Sequence, residues 1–132
     1  MNTKILGFTA TDDAHQNDIY IVNFDESKVT KNTTSPINFK FGLFNYKDGD
    51  KFIADFIFTV NDEKTINHHL DLNDIITNDD GALKKDGNYY SSQFSFNVFL
   101  PIKEGIVKCE MSLKQKGKEI DHATTYFALK KL

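Results

Sequence analysis

A period of two runs through most of this chain. From Pro36 to Tyr46, the residues Ile37, Phe39, Phe41 and Leu43 alternate with Asn38, Lys40 and Gly42. From Phe52 to Val60, the residues Phe52, Ala54, Phe56, Phe58 and Val60 alternate with Ile53, Asp55, Ile57 and Thr59. Successive side chains of a strand point to opposite faces, so each run reads as a β-strand with one apolar face. The same reading places strands at Lys4–Ala10, Asp18–Phe24, Ile66–Leu72, Ser92–Leu100, Ile106–Leu113 and Ile120–Leu129. Pro101 stops the run through Phe94, Phe96, Val98 and Leu100, because proline has no N–H to give a ladder. Val107, Cys109, Met111 and Leu113 share one face of their strand. About eight strands at this spacing predict an all-β fold, a single antiparallel β-sandwich spanning residues 1–132.

Turn signals refine this picture. Asp48-Gly49 is a strong signal for a two-residue hairpin. Placed at the turn, it pairs Ile37 with Val60, Phe39 with Phe58, Phe41 with Phe56 and Leu43 with Ala54, all on one face. A slip of one residue would oppose apolar to polar. Lys116-Gly117 is a second tight-turn candidate. Asp25–Ser35 and Asn73–Asn88 are the long connections, the second with a helical turn at Asp74–Thr77. The other face of the predicted hairpin carries an apolar patch where polar residues are expected. Phe44 falls opposite Ile53, Lys40 opposite Ile57, and Tyr46 lies beside them. Phe44, Tyr46, Ile53 and Ile57 are therefore the candidate interaction patch, with Phe99 and Tyr89-Tyr90 as possible additions. Either a partner covers the patch, or Asn73–Asn88 does so with Ile75 and Ile76, since contiguous exposed apolar patches are uncommon on monomers.

Gly105-Ile106-Val107-Lys108-Cys109 resembles the G-x-Y-x-C segment of an immunoglobulin-like F strand, with Val107 in the tyrosine place. Phe94–Leu100 resembles the E strand before it, and Ile106–Leu129 resembles the F–G hairpin. Strands taken in order make the Asp48-Gly49 hairpin C–C′. The resemblance implies an immunoglobulin-like topology without the core disulfide, the tryptophan or the tyrosine corner. It implies architecture and no particular function.

Composition narrows the function classes. Aromatics make up 13% of the chain, with 12 Phe, 5 Tyr and no Trp, so the core is expected to be built around phenylalanine. All 16 basic residues are lysines. Arginine is the usual bidentate reader of phosphate and guanine. Its absence and a net charge of −3 argue against a nucleic-acid partner. Residues 1–100 carry 9 Lys and 15 acids, whereas residues 101–132 carry 7 Lys and 4 acids. No segment has the length and apolarity of a membrane span or a signal peptide. The lone Cys109 cannot form an internal disulfide and leans towards a reducing compartment. The expectation is a soluble, cytoplasmic protein with no membrane partner.

Candidate chemistry is sparse. The segment Asn67-His68-His69-Leu70-Asp71-Leu72-Asn73-Asp74 suggests metal ligands, but on a strand His68 and His69 face opposite ways. His68 joins Ile66, Leu70 and Leu72 as a half-buried packing residue. His69 and Asp71 share a face and make a weak two-ligand candidate, while a stable zinc site needs three or four. No metal or other cofactor is expected. Asp12, Asp13 and Asp18 form one acidic loop group; Asp71, Asp74, Asp79, Asp80 and Asp86 form another. Oxygen-rich loops can hold calcium, yet no EF-hand spacing fits, and Asp is common in turns for local backbone reasons. Cys109 lies on an apolar face and reads as a buried, inert thiol. No nucleophile elbow, phosphate loop or dinucleotide fingerprint occurs. The best reading is a non-catalytic interaction or assembly module with a protein partner or self-association. The alternative is a sandwich that binds carbohydrate or calcium at a loop end, with Tyr46, Tyr89 or Tyr90 as sugar platforms.

Overall fold

The computed structural model describes residues 3–14, 17–25, 27, 36–47, 49–72, 84–86 and 89–132. Among these described residues nine strands follow in chain order: β1 (Lys4–Thr11), β2 (Ile21–Phe24), β3 (Ile37–Lys47), β4 (Ile53–Val60), β5 (Glu63–Asp71), β6 (Lys84–Asp86), β7 (Tyr89–Val98), β8 (Gly105–Gln115) and β9 (Lys118–Lys131). They form a four-stranded sheet in the order β1-β3-β7-β6 and a five-stranded sheet in the order β2-β9-β8-β4-β5. Strand β6 was not expected: Lys84-Lys85-Asp86 has no alternation, and it falls within the segment read as a connection. The helical turn expected at Asp74–Thr77 lies outside the described residues.

Two expectations are corrected. The first is the strictly antiparallel arrangement, because β2 runs parallel to β9. After β1 the chain turns at Asp12, whose N–H donates to Asn17 O at 3.0 Å and whose carboxylate accepts from Asn17 Nδ2 at 2.8 Å. It returns briefly beside β1, with Ile19 N bonded to Ala10 O at 3.0 Å. It then crosses to the other sheet, where Ala128 N donates to Tyr20 O at 2.9 Å. The crossing delivers β2 to the free edge of β9 in the parallel sense.

The second correction concerns the Asp48-Gly49 hairpin. The turn exists: Asp50 N donates to Lys47 O at 3.1 Å, and Gly49 adopts φ +84°. It joins different sheets, however. β3 pairs with β1 and β7, whereas β4 pairs with β5 and β8. The expected partners still meet, through the core instead of along a ladder. Phe39 lies 5.4 Å from Phe58 and Phe41 lies 5.9 Å from Phe56, ring centre to ring centre. Alternation fixes which face of a strand is apolar. It does not fix whether the matching face is beside it or across from it, since both arrangements bury the same eight side chains. The two-residue hairpin in this region is instead β4–β5, turned by Asn61 and Asp62 at φ +50° and +67°. Two left-handed residues in succession are the requirement of a type I′ turn, which Asn and Asp tolerate better than most. The β8–β9 hairpin turns at Lys116-Gly117, as expected, with φ +53° and +78°.

The core lies between the sheets and is built on phenylalanine. Phe39 touches Phe8, Phe58, Phe96 and Phe127, and Phe41 stacks on Phe94 at 5.3 Å. Cys109, Met111 and Leu113 complete it from β8. Each buried side chain of this size contributes about 1.5–3 kcal/mol, and tilted or offset ring pairs add to that.

Candidate functional site

The predicted patch does not survive as one surface. Because β3 and β4 lie in different sheets, Phe44 is on the outside of the four-stranded sheet, while Ile53 and Ile57 are on the outside of the five-stranded one. Tyr46 is only 1% exposed. A bulge between Phe44 and Tyr46, with Asn45 at φ +71°, shifts the alternation and turns Tyr46 inward. There its hydroxyl hydrogen-bonds Ser92 Oγ, and its ring packs edge-on against Phe52 at 6.3 Å. Tyr46 is thereby removed as a sugar platform. The side chains of Tyr89 and Tyr90, and residues Ile75 and Ile76, lie outside what is described.

The outward face of the five-stranded sheet holds most of the exposed chemistry. Strand registers set it out in rows. His69, Asp55, Ser112 and His122 form one row across β5, β4, β8 and β9; Asn67, Ile57, Glu110 and Thr124 form the next. Asp55 is the hub of the first. Its Oδ1 lies 2.6 Å from His69 Nδ1 and its Oδ2 lies 2.9 Å from Lys114 Nζ. The Lys114 bond, helped by His69, holds the Asp55 carboxyl below its ordinary range against a partial desolvation. Ser112 Oγ donates to Glu119 Oε1 at 2.8 Å. A shallow hollow of about 530 Å³ lies over Asp55, Ile57, Glu110, Ser112 and His122. Its Ser, His and Asp do not form a nucleophilic relay. Asp55 stands between His69 and Ser112, and the serine proton goes to a carboxylate instead of an imidazole.

His68 and His69 diverge as expected. His68 turns inward and stacks on Phe96 at 5.3 Å with an 11° interplanar angle. His69 turns outward beside Asp71, but Asp55 engages its Nδ1. Among the described residues, no three His, Cys, Asp or Glu side chains converge on a metal position. The first acidic loop group is occupied locally: Asp12 caps Asn17, Asp13 accepts from Asn38, and Asp18 pairs with Lys40 at 3.3 Å. Asp74, Asp79 and Asp80 lie outside the described residues, and of Asp86 only the backbone is described. Cys109 is buried, and that burial pushes its thiol pKa far up.

Sequence reasoning missed a second apolar group on this same outward face. Ile106, Ala128 and Ile21 align in one row across β8, β9 and β2, and Tyr126 stands in the next row, opposite Lys108. Ile21, Ile106 and Tyr126 are 52%, 57% and 56% exposed. Ile53 and Ile57, at 37% and 36%, are less open. The signal was present in the sequence. Ile106 and Tyr126 are large apolar residues on the off-phase of strands whose in-phase positions already fill the core.

No protein-family model and no curated protein sequence matches this chain. Among solved structures, the fold is similar to a bacterial adhesin from Mobiluncus mulieris described as containing intramolecular disulfide, isopeptide and ester bond cross-links. The TM-score is 0.60 at 9% sequence identity, and the match covers 100% of this chain and 58% of the adhesin chain. At that identity the likeness speaks for the fold, an all-β arrangement of two sheets.

Proposed function

We propose that this chain is a non-catalytic interaction module with an immunoglobulin-like topology, and that it contacts a protein, including a second copy of itself, through the outward face of its five-stranded sheet. Labelling the strands A, A′, B, C, C′, D, E, F and G in chain order turns the two sheets into ABED and A′GFCC′. This supports the topology, as does the parallel pairing of β2 with β9. In this labelling Asp48-Gly49 is the B–C connection, and C–C′ is the hairpin at Asn61-Asp62. The adhesin neighbour supports a binding role over a catalytic one.

The observation that carries the surface is the group Ile21, Ile106 and Tyr126. Three large apolar side chains, each more than half exposed, gather at one end of one sheet face. Scattered apolar residues are normal on a surface, but a contiguous group is a recurrent mark of a contact site. The register continues from Tyr126 through Lys108 to Thr59 on β4, one outward position along that strand from Ile57. Light scattering over a concentration series, beside thermal melts, tests this. Ile106→Lys and Tyr126→Lys should each change stability by no more than about 0.5 kcal/mol. If the wild type self-associates, they should shift it towards monomer, because a charge in an interface core is desolvated without a partner. Variants that melt far lower would mean that the chain itself covers these residues, and would reject the surface.

A further inference from the structure

We propose that β5 is an acid-releasable edge of the sandwich, held in place by the neutral ring of His68. β5 has one ladder neighbour, β4, among the described strands. Its inward residues Ile66 and Leu70 are only partly buried. His68 stands between them and makes the cross-sheet contact. It lies flat against Phe96 of β7 and tilted against Phe56 of β4 at 6.1 Å.

Among the described residues, no acidic side chain bears on this ring to hold a proton there. The groups facing it from β4 and β7 are Phe56 and Phe96, which offer ring faces and no carboxylate. On β5 itself, Ile66 and Leu70 share its face. Among the described residues, the titratable group that bears on it is His69, which points to the opposite face with Asp55 and adds a like charge when protonated. Asp55 is already engaged by His69 and Lys114. Desolvation first, and His69 second, lower the His68 pKa below the ordinary 6.5. The sign follows. Above about pH 6.5 the ring is neutral in both the docked and the released strand, and docking is undisturbed. As pH falls below that value the released strand takes up the proton first. Docking weakens until the pH passes the lower pKa of the docked ring. The release uncovers the outer edge of β4, a row of unpaired backbone groups beside the core.

Amide hydrogen exchange on the wild-type chain at pH 7 and pH 5 tests this, with the protection of Ile66–Asp71 read as a ratio to that of β8. Using both strands of one molecule cancels the intrinsic pH dependence of exchange. The ratio should fall at pH 5, by up to about tenfold for each unit by which the docked His68 titrates below the released one. His68→Leu should keep β5 protected and lose the pH dependence, while His69→Gln should retain it. An imidazole titration by NMR gives an independent reading on the unmutated chain. A His68 that titrates at or above 6.5, or a ratio that does not change between the two pH values, overturns the proposal. A pH dependence that persists in His68→Leu overturns it equally.

Discussion

Phe41 and Phe56 stand at the centre of the core, both without measurable exposure, and face each other from opposite sheets. Truncating either to alanine should cost about 3–5 kcal/mol in a urea melt, since the cavity is hemmed in by Phe94, Phe96 and Phe8. The double variant should lose less than the sum of the two, by about 0.5–1.5 kcal/mol, because the rings touch. Strict additivity would mean that they do not. Asp55 behaves differently, its side chain being 32% exposed. Asp55→Asn should cost about 0.2–1 kcal/mol at neutral pH. Lys114 and His69 lower the folded-state pKa of Asp55, so its contribution is present above the unfolded value and fades as pH falls through the folded one. Denaturant midpoints of variant and wild type should therefore converge in strong acid.

Legibility was uneven at the scale of the strand. The period of two located eight of the nine described strands and the inward face of nearly all of them, because burial on one face writes itself into every second residue. It did not say which strands share a sheet, and it missed the bulge at Asn45 that turns Tyr46 inward. The turn at Asn61-Asp62 was legible in principle, yet the stronger Gly signal at residue 49 masked it. That turn is tied to the start of β8. Asn61 Nδ2 donates to Glu104 O at 3.0 Å, and Asn61 Oδ1 accepts from Ile106 N at 3.2 Å. Gly105 leaves room for this: at φ +155°, a Cβ there would fall 2.1 Å from Asn61 Oδ1. Gly105→Ala should destabilise by about 1–3 kcal/mol. Asn61→Gly removes the obstructing amide and keeps a residue that accepts positive φ. The double variant should therefore melt higher than the two single losses predict. Full additivity would place the strain elsewhere.

Across the whole molecule, Cys109 reports on cooperativity. It sits on β8, between β4 and β9, with no exposure. Thiol labelling in native buffer should proceed only through global opening, at a rate that falls as stability rises in the variant series above. Fast labelling at full stability would reveal a local route to the core. The parallel β2–β9 pair has a mechanical consequence. A pull applied ahead of β2 and beyond β9 draws the two strands in opposite directions along their shared axis. The four rungs from Ile21↔Ala128 to Phe24↔Lys131 then carry the load together, in shear. An antiparallel partner pulled at the same two places would be peeled one rung at a time. The short strand that departs from the expected pairing is thus the one placed to resist tension along the chain.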